Sequence, residues 1–336
     1  MSSPVTVYRW DDAGAPQLTS RTPSEIIDIM RKCLIEGYGA KQPLGWTVEF
    51  EDVTANEIVF RNKIADGGSG GYVKFLPRNG NNASGSILDM KSAMSMSDIN
   101  TAHNQGYRSS IIAQVTTAVH WVLIGTSRSF YFIIRNNSAM GARRNYGENM
   151  CYVGDFAPYS PTDQCIFIAT GTPDFGGDFT PTSMQAYSYT FNRVFSKRST
   201  LAASKNALRL ASIDGDGVMA DYGFADGQHT FEEYARGATA DRKGLYVPVS
   251  IMSKYSLNDY ARNDPEGNPI PYSVRYPWAR GELAGIVTEV IHRHEALPFS
   301  SWPLIESHLG HDHWAISGNG VSISTWINMV EWDYYG

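Results

Sequence analysis

Almost every position in His120-Trp121-Val122-Leu123-Ile124 and in the run from Phe130 to Ile134 is apolar. Only Gly125-Thr126-Ser127-Arg128 and Ser129 separate the two runs. Both are rich in aromatic and β-branched residues, which suit a pleated surface. Neither shows the polar alternation of a strand with one wet face, so the pair reads as a central β-hairpin buried on both faces. Arg135-Asn136-Asn137 closes it, and Cys151 to Phe156 and Gln164 to Ala169 read as further strands of the same sheet, separated by turns at Pro158 and Pro161.

One helix stands out against this β pattern. Thr22 can accept the amide of Glu25 while Glu25 reaches back to Thr22, forming a capping box, and Pro23 occupies the first helical position, where its missing N–H costs nothing. Ile26, Ile27, Met30, Cys33 and Leu34 recur at spacings of three and four, opposite Asp28, Arg31, Lys32 and Glu36. Gly37 is the natural residue just past the end. The turns Gly37-Tyr38-Gly39 and Pro43-Leu44-Gly45 then lead into a strand that begins near Trp46 and ends at Phe50, and the helix is expected to dock on that sheet.

The remaining strands are expected over Val5 to Trp10 (an edge), Glu57 to Lys63, Tyr72 to Phe75, Ser86 to Met90, Gly244 to Met252 and Leu283 to Ile291. Trp314 to Ile316, Val321 to Ile323 and Trp326-Ile327 are expected to close the chain around a Gly318-Asn319-Gly320 turn. The predicted fold is mainly β with an α component: antiparallel sheets or a sandwich, one docked N-terminal amphipathic helix and long loops. A lobe boundary is placed near residue 195, giving a helix-plus-sheet lobe over 1–195 and a β-rich lobe over 196–336. No repeat of fixed period occurs.

The chain has 336 residues, 42% of them hydrophobic and 18% charged, with a net charge of −6. That excludes wholesale disorder, and the low charge content suits a subunit that hides surface in an assembly. Arg143-Arg144 and Lys197-Arg198 are too small to neutralise a run of phosphates, so no nucleic-acid partner is expected. The three cysteines, Cys33, Cys151 and Cys165, form no CxxC pair and read as small buried hydrophobes. MSSPVTVYRW lacks the charged and apolar regions of a signal peptide, and no apolar run approaches a membrane span. The expectation is a soluble chain made in the cytoplasm.

Several constellations invite chemistry. The loop Asp66-Gly67-Gly68-Ser69-Gly70-Gly71 suggests phosphate binding, but such loops open a helix and here a strand follows. Met90, Met94 and Met96 near Asp98 have no Cys or His at ligand spacing and read as core filler. Asp214-Gly215-Asp216-Gly217 begins like a calcium loop, yet its closing position falls on Ala225, which has no side-chain oxygen. His292 and His294, with His311 and His313, are the candidate metal ligands. On strands each pair shares one face, and two such pairs can build a tetrahedral site. There is no GxSxG elbow, and the adjacent carboxylates Asp11-Asp12 and Glu232-Glu233 diverge, so no catalytic residue and no cofactor is assigned.

Tyr8-Arg9-Trp10, Asp12-Ala13-Gly14-Ala15-Pro16, Cys33-Leu34-Ile35-Glu36-Gly37-Tyr38-Gly39 and Gly45-Trp46-Thr47 together form a pattern that resembles a group of tailed-bacteriophage virion structural proteins, of the head–tail or tail-associated kind. The resemblance is strongest over residues 1–76, with scattered matches at Trp121 to Ile134, Gly154-Asp155-Phe156 and Arg280-Gly281-Glu282-Leu283. It implies a non-enzymatic subunit of the neck, tail or baseplate, located in the virion and joined to other virion proteins and to copies of itself. Capsid decoration is the nearby alternative. The aromatic segment around Phe175, Phe179, Tyr187, Tyr189, Phe191 and Phe195 is the candidate interface arm, since such a segment needs a partner surface to bury it. A receptor- or glycan-binding module, or a glycan-hydrolysing one, is the reading from a different class. Trp10, Trp46, Trp278, Trp302 and Trp332 would then be its stacking residues.

Overall fold

The computed structural model describes residues 2–113, 117–135, 148–173, 208–215, 219–225, 246–253, 277, 279–289, 303–308, 310–317 and 324–334. Its middle layer is a five-stranded antiparallel sheet, ordered Phe167–Thr170, Glu148–Asp155, Ser129–Arg135, Trp121–Gly125 and Thr6–Arg9. The apolar hairpin sits inside it, Trp121 opposite Ile134 and Gly125 opposite Phe130, and both strands are buried along their whole length. The expected N-terminal strand, Thr6–Arg9, forms one edge.

Period-two alternation sends the two faces of this sheet into two different cores. Trp121, Leu123, Phe130, Phe132 and Ile134 pack with the helix and a six-stranded sheet. That sheet runs Thr172–Pro173, Ser109–Ile112, Ile87–Ala93, Tyr72–Pro77, Glu57–Arg61 and Thr47–Asp52, and supplies Ile58, Phe60, Val73, Phe75, Leu88 and Met90 to the shared core. On the other side, Val122, Ile124, Tyr131, Ile133 and Tyr152 pack against a third antiparallel sheet. The strands of that sheet follow the order Leu208–Leu210, Ala220–Ala225, Tyr246–Ser253, Ala279–Glu289, Ser324–Asn328, His311–Ser317 and Leu304–His308. Each large apolar side chain buried in this way contributes roughly 1.5–3 kcal/mol, so the two-faced hairpin holds the three layers together.

The helix spans Pro23–Arg31 and buries Ile26, Ile27, Ile29 and Met30. Thr22 Oγ1 accepts the Glu25 amide at 3.2 Å, as the capping pattern predicts. Glu25 departs from that pattern: its carboxylate accepts from the amides of Ser20 (2.9 Å) and Arg21 (2.6 Å) and from the Thr19 hydroxyl (3.1 Å). The cause is Arg21, whose φ of 56° curls the preceding amides over the helix start. Its buried guanidinium offsets that strain by donating to the carbonyls of Ala118 and, at 3.1 Å, Arg135. The helix ends in a wide π-type turn over Lys32–Glu36, closed by the Gly37 amide on the Lys32 carbonyl at 2.7 Å. Gly37 has φ 76°, and a Cβ there would lie 2.5 Å from the Lys41 carbonyl oxygen.

The expected boundary near residue 195 falls outside the described residues. The described parts on either side of it share one core, where Tyr131, Tyr152 and Ile168 meet Leu283, Trp314 and Trp332. They also share strand pairings: Ala157–Pro158 pairs with the strand Ala279–Glu289, and Ser2–Pro4 pairs with Glu331–Asp333. Among the described residues no helix is long and apolar enough to cross a membrane.

Candidate functional site

Of the four candidate metal ligands, His311 and His313 lie two apart on the strand His311–Ser317 and so share a face, while His292 and His294 lie outside the described residues. Asn328 Nδ2 donates to His311 Nδ1 at 3.0 Å, which leaves the proton of the neutral ring on Nε2, 3.8 Å from a Glu331 carboxylate oxygen. His313 Nδ1 donates to the His311 carbonyl at 2.9 Å. Among the described residues no group of three or more His, Cys, Asp or Glu side chains is placed to hold a metal ion.

The candidate interface residues, Phe175, Phe179, Tyr187, Tyr189, Phe191 and Phe195, all lie outside the described residues, as do Trp278 and Trp302. Trp46 and Trp332 are core residues, 3% and 1% exposed. Trp46 rests on Phe130 and Trp332 on Tyr131, so neither presents a face to a sugar. Trp10 is partly buried, with Arg9 over its ring and His120 at its edge. The methionines do not form one cluster: Met90 and Met94 face the main core, whereas Met96 packs on the opposite face of the same sheet.

The glycine-rich loop is hydrogen-bonded to the protein at each amide from Gly67 to Gly71. Its five amides from Gly67 to Gly71 donate in turn to Ile64 O (2.9 Å), Lys63 O (3.0 Å), Asp155 Oδ2 (2.8 Å), Asn62 Oδ1 (2.7 Å) and Ser69 Oγ (3.2 Å). A phosphate cradle needs those amides free, and here they are committed to the protein. At Gly71 a Cβ would stand 2.1 Å from the Phe167 ring, so the loop seats directly on the middle sheet.

The loop closes over Asp155, a fully buried carboxylate that also accepts from the Ser69 hydroxyl. Arg128 Nε stands 3.5 Å from Asp155 Oδ2 as a charge contact without an aligned hydrogen bond. The Arg128 guanidinium stacks 4.0 Å over Tyr334, whose hydroxyl meets those of Thr126 (2.8 Å) and Ser129. One polar cluster therefore ties the glycine loop, the turn of the central hairpin and the C-terminal segment together. The Ser69–Asp155 contact thus fastens the glycine loop to the middle sheet.

Burial raises the Asp155 pKa above the ordinary value, against the lowering effect of Ser69, Arg128 and Asn62. A raised folded-state pKa means that this group contributes most stability below its unfolded pKa and loses that contribution as pH rises through the folded value. Asp155→Asn is therefore expected to compare more favourably with the wild type near neutral pH than near pH ~3. Urea midpoints measured across that range check this. A stability difference independent of pH would refute it.

A second buried clasp joins the turn after Ala157–Pro158 to the third sheet. Arg280 Nε and Nη2 each reach the Asp163 carboxylate at 2.7 Å, and Nη1 donates to the Ala211 carbonyl at 2.8 Å. Burial alone would lower the Arg280 pKa, but the Asp163 hydrogen bond and charge raise it on balance. The pairings themselves are not visible in the local sequence, because Ser69, Arg128 and Arg280 come from segments distant from Asp155 and Asp163. The cues were Ser69 in the middle of the glycine run and the matching segments around Asp155 and Arg280.

The segment from Tyr8 to Pro16 and the turn at Tyr38-Gly39 after the helix meet at a single corner. Asp12 Oδ2 accepts from the Arg9 amide (2.8 Å) and the Tyr38 hydroxyl (2.9 Å), and Lys41 Nζ donates to the Val7 carbonyl at 2.9 Å. A Cβ at Gly39 would lie 2.2 Å from the Ala13 carbonyl oxygen, so the turn around Gly14 and the turn after the helix approach backbone to backbone. The Trp121 indole N–H reaches the Pro16 carbonyl at 3.1 Å, fastening this corner to the central hairpin. No protein-family model and no curated protein matches this chain.

Proposed function

We propose that this chain is a non-enzymatic structural subunit of a tailed-phage virion, acting in the neck, tail or baseplate through repeated symmetric contacts with copies of itself and with other virion proteins. The observation that carries the reading is the convergence of two of the resembling segments, from Tyr8 to Pro16 and from Cys33 to Gly39, into one corner fastened to the middle sheet. The buried ionic groups support it too. Asp155 holds the glycine loop to the middle sheet through Ser69, and Asp163 with Arg280 fastens the turn after Ala157–Pro158 to the third sheet, as suits a rigid building block. Cyclic assembly multiplies weak contacts, so such a block needs no single strong interface.

Capsid decoration is the nearby alternative position on the particle. The test is immunogold electron microscopy of intact particles, with antibody raised against the recombinant chain. Label at a fixed place on the particle is expected, and its position chooses among neck, tail, baseplate and capsid. Protein confined to the lysate, with unlabelled particles, would sink the reading.

A further inference from the structure

The outward face of the six-stranded sheet brings together an amine, a carboxamide and a carboxylate. Lys74 lies in Tyr72–Pro77, flanked by Val73 and Phe75, which point into the core, so its own side chain takes the opposite face. Glu57 heads the neighbouring strand Glu57–Arg61, where Lys74 is in register with Val59. Glu57 Oε2 stands 2.6 Å from Lys74 Nζ, and the Lys74 side chain is only 11% exposed. On its other side, Lys74 Nζ donates to Asn100 Oδ1 at 3.1 Å.

Asn100 belongs to a different element. The short strands Ser95–Met96 and Ala102–His103 pair, and the Asp98 carboxylate holds the turn between them by accepting the amides of Asn100 (2.8 Å) and Thr101 (2.9 Å). Met96, Ile99 and Ala102 press this hairpin onto Val59, Tyr72 and Ala93 of the sheet. Amine and carboxamide are thus held against each other by two separately braced pieces of backbone. The amide carbon is one C=O bond of ~1.23 Å from an oxygen already in contact with the amine, which keeps it within about 4.3 Å of Nζ.

We propose that Lys74 and Asn100 form an intramolecular amide bond, with Glu57 carrying the proton. The Glu57 carboxylate takes a proton from the Lys74 ammonium at hydrogen-bond distance. The freed Nζ lone pair attacks Asn100 Cγ. Glu57 then delivers the proton to the carboxamide nitrogen, the Cγ–N bond breaks and ammonia leaves, taking up the surplus proton as ammonium. One side-chain ammonium and one carboxamide give one secondary amide and one ammonium ion, Glu57 returns to carboxylate, and nothing is oxidised or reduced. Asn100 is exposed, so the ammonia has a path to solvent. Fixed proximity replaces a bimolecular encounter, which is the largest aid such a reaction needs. The bond would staple the 95–103 hairpin to the sheet.

Mass spectrometry of the purified full chain decides the matter. The folded wild type is expected about 17 Da lighter than its sequence mass, the loss of one ammonia. Trypsin should fail to cut after Lys74 and should yield one branched peptide joining the Lys74 and Asn100 segments. Lys74→Arg and Asn100→Ala should each carry the full mass, and Glu57→Gln should do so while keeping the wild-type circular dichroism. Three results would overturn the proposal: a folded wild type that keeps its full mass after prolonged incubation, an ammonia loss that maps to Asn79-Gly80 instead, or a Glu57→Gln chain cross-linked as fully as the wild type. The proposal is independent of the virion reading, which rests on the N-terminal corner.

Discussion

Replacing Arg280 with methionine is expected to destabilise the protein by about 3–5 kcal/mol, because it leaves Asp163 as an uncompensated charge in the interior. Arg280 and Asp163 are 1% and 7% exposed, and the two hydrogen bonds between them are 2.7 Å long. Asp163 also accepts the Cys165 amide at 2.9 Å, so its carboxylate cannot turn away to water without breaking the turn. The pair Arg280→Met with Asp163→Asn should recover much of the loss, since asparagine keeps an acceptor for Cys165 and carries no charge. Urea unfolding of the wild type, the single and the double variant measures this. A single-variant loss below about 1 kcal/mol would place the pair among weakly contributing ion pairs.

Truncating Trp332 to alanine is expected to cost about 3–5 kcal/mol, the range for an aromatic side chain removed from a packed core. Its ring lies so close to Gly285 that a Cβ there would stand 2.1 Å from it, and Tyr131 meets it edge to face at 5.3 Å. The indole N–H is satisfied by the Asn328 carbonyl at 2.7 Å, so the truncation also leaves that acceptor without its donor. The strand Glu331–Asp333 should loosen with it, because Trp332 is its anchor and Ser2–Pro4 its only strand neighbour among the described residues. Thermal unfolding checks the magnitude, and hydrogen exchange at residues 2–4 and 331–333 checks the coupling. Unchanged protection of the 2–4 segment would show that the terminal pair stands without its anchor.

Local pattern carried the elements well. The cap at Thr22, the proline at the first helical turn and the glycine past the end are chemistry within a few residues of backbone, and the structure places each where the pattern does. The hairpin around Gly125 was equally legible, since a run with no polar alternation has no face to give to water. Glu25 shows the limit. Its partners shifted to Ser20 and Arg21 because Arg21 is held in a left-handed conformation by carbonyls about a hundred residues away.

The candidate sites divide along the same line. Strand periodicity alone put His311 and His313 on one face. Which tryptophans are buried depended on what packs over them, and periodicity does not say that of Trp46 or Trp332. The glycine loop was recognisable as a loop, but that its amides are taken by Asn62, Lys63, Ile64, Ser69 and Asp155 is a fact of tertiary structure.

By itself, then, the sequence determined the capped helix, the mainly antiparallel β character and the double burial of the central hairpin, because each follows from residue spacing and short-range backbone chemistry. The strands Ser109–Ile112, Leu208–Leu210, Ala220–Ala225 and Leu304–His308 were not among those it led one to expect. Only the tertiary structure decided that the two faces of that hairpin feed two separate cores, that Asp155 and Asp163 are clamped by Arg128 and Arg280, and that Lys74 lies between Glu57 and Asn100. Those pairings join segments far apart in the chain, and the free energy that selects them, burial of apolar surface together with the pairing of buried charges, is a property of the assembled layers and not of any one stretch.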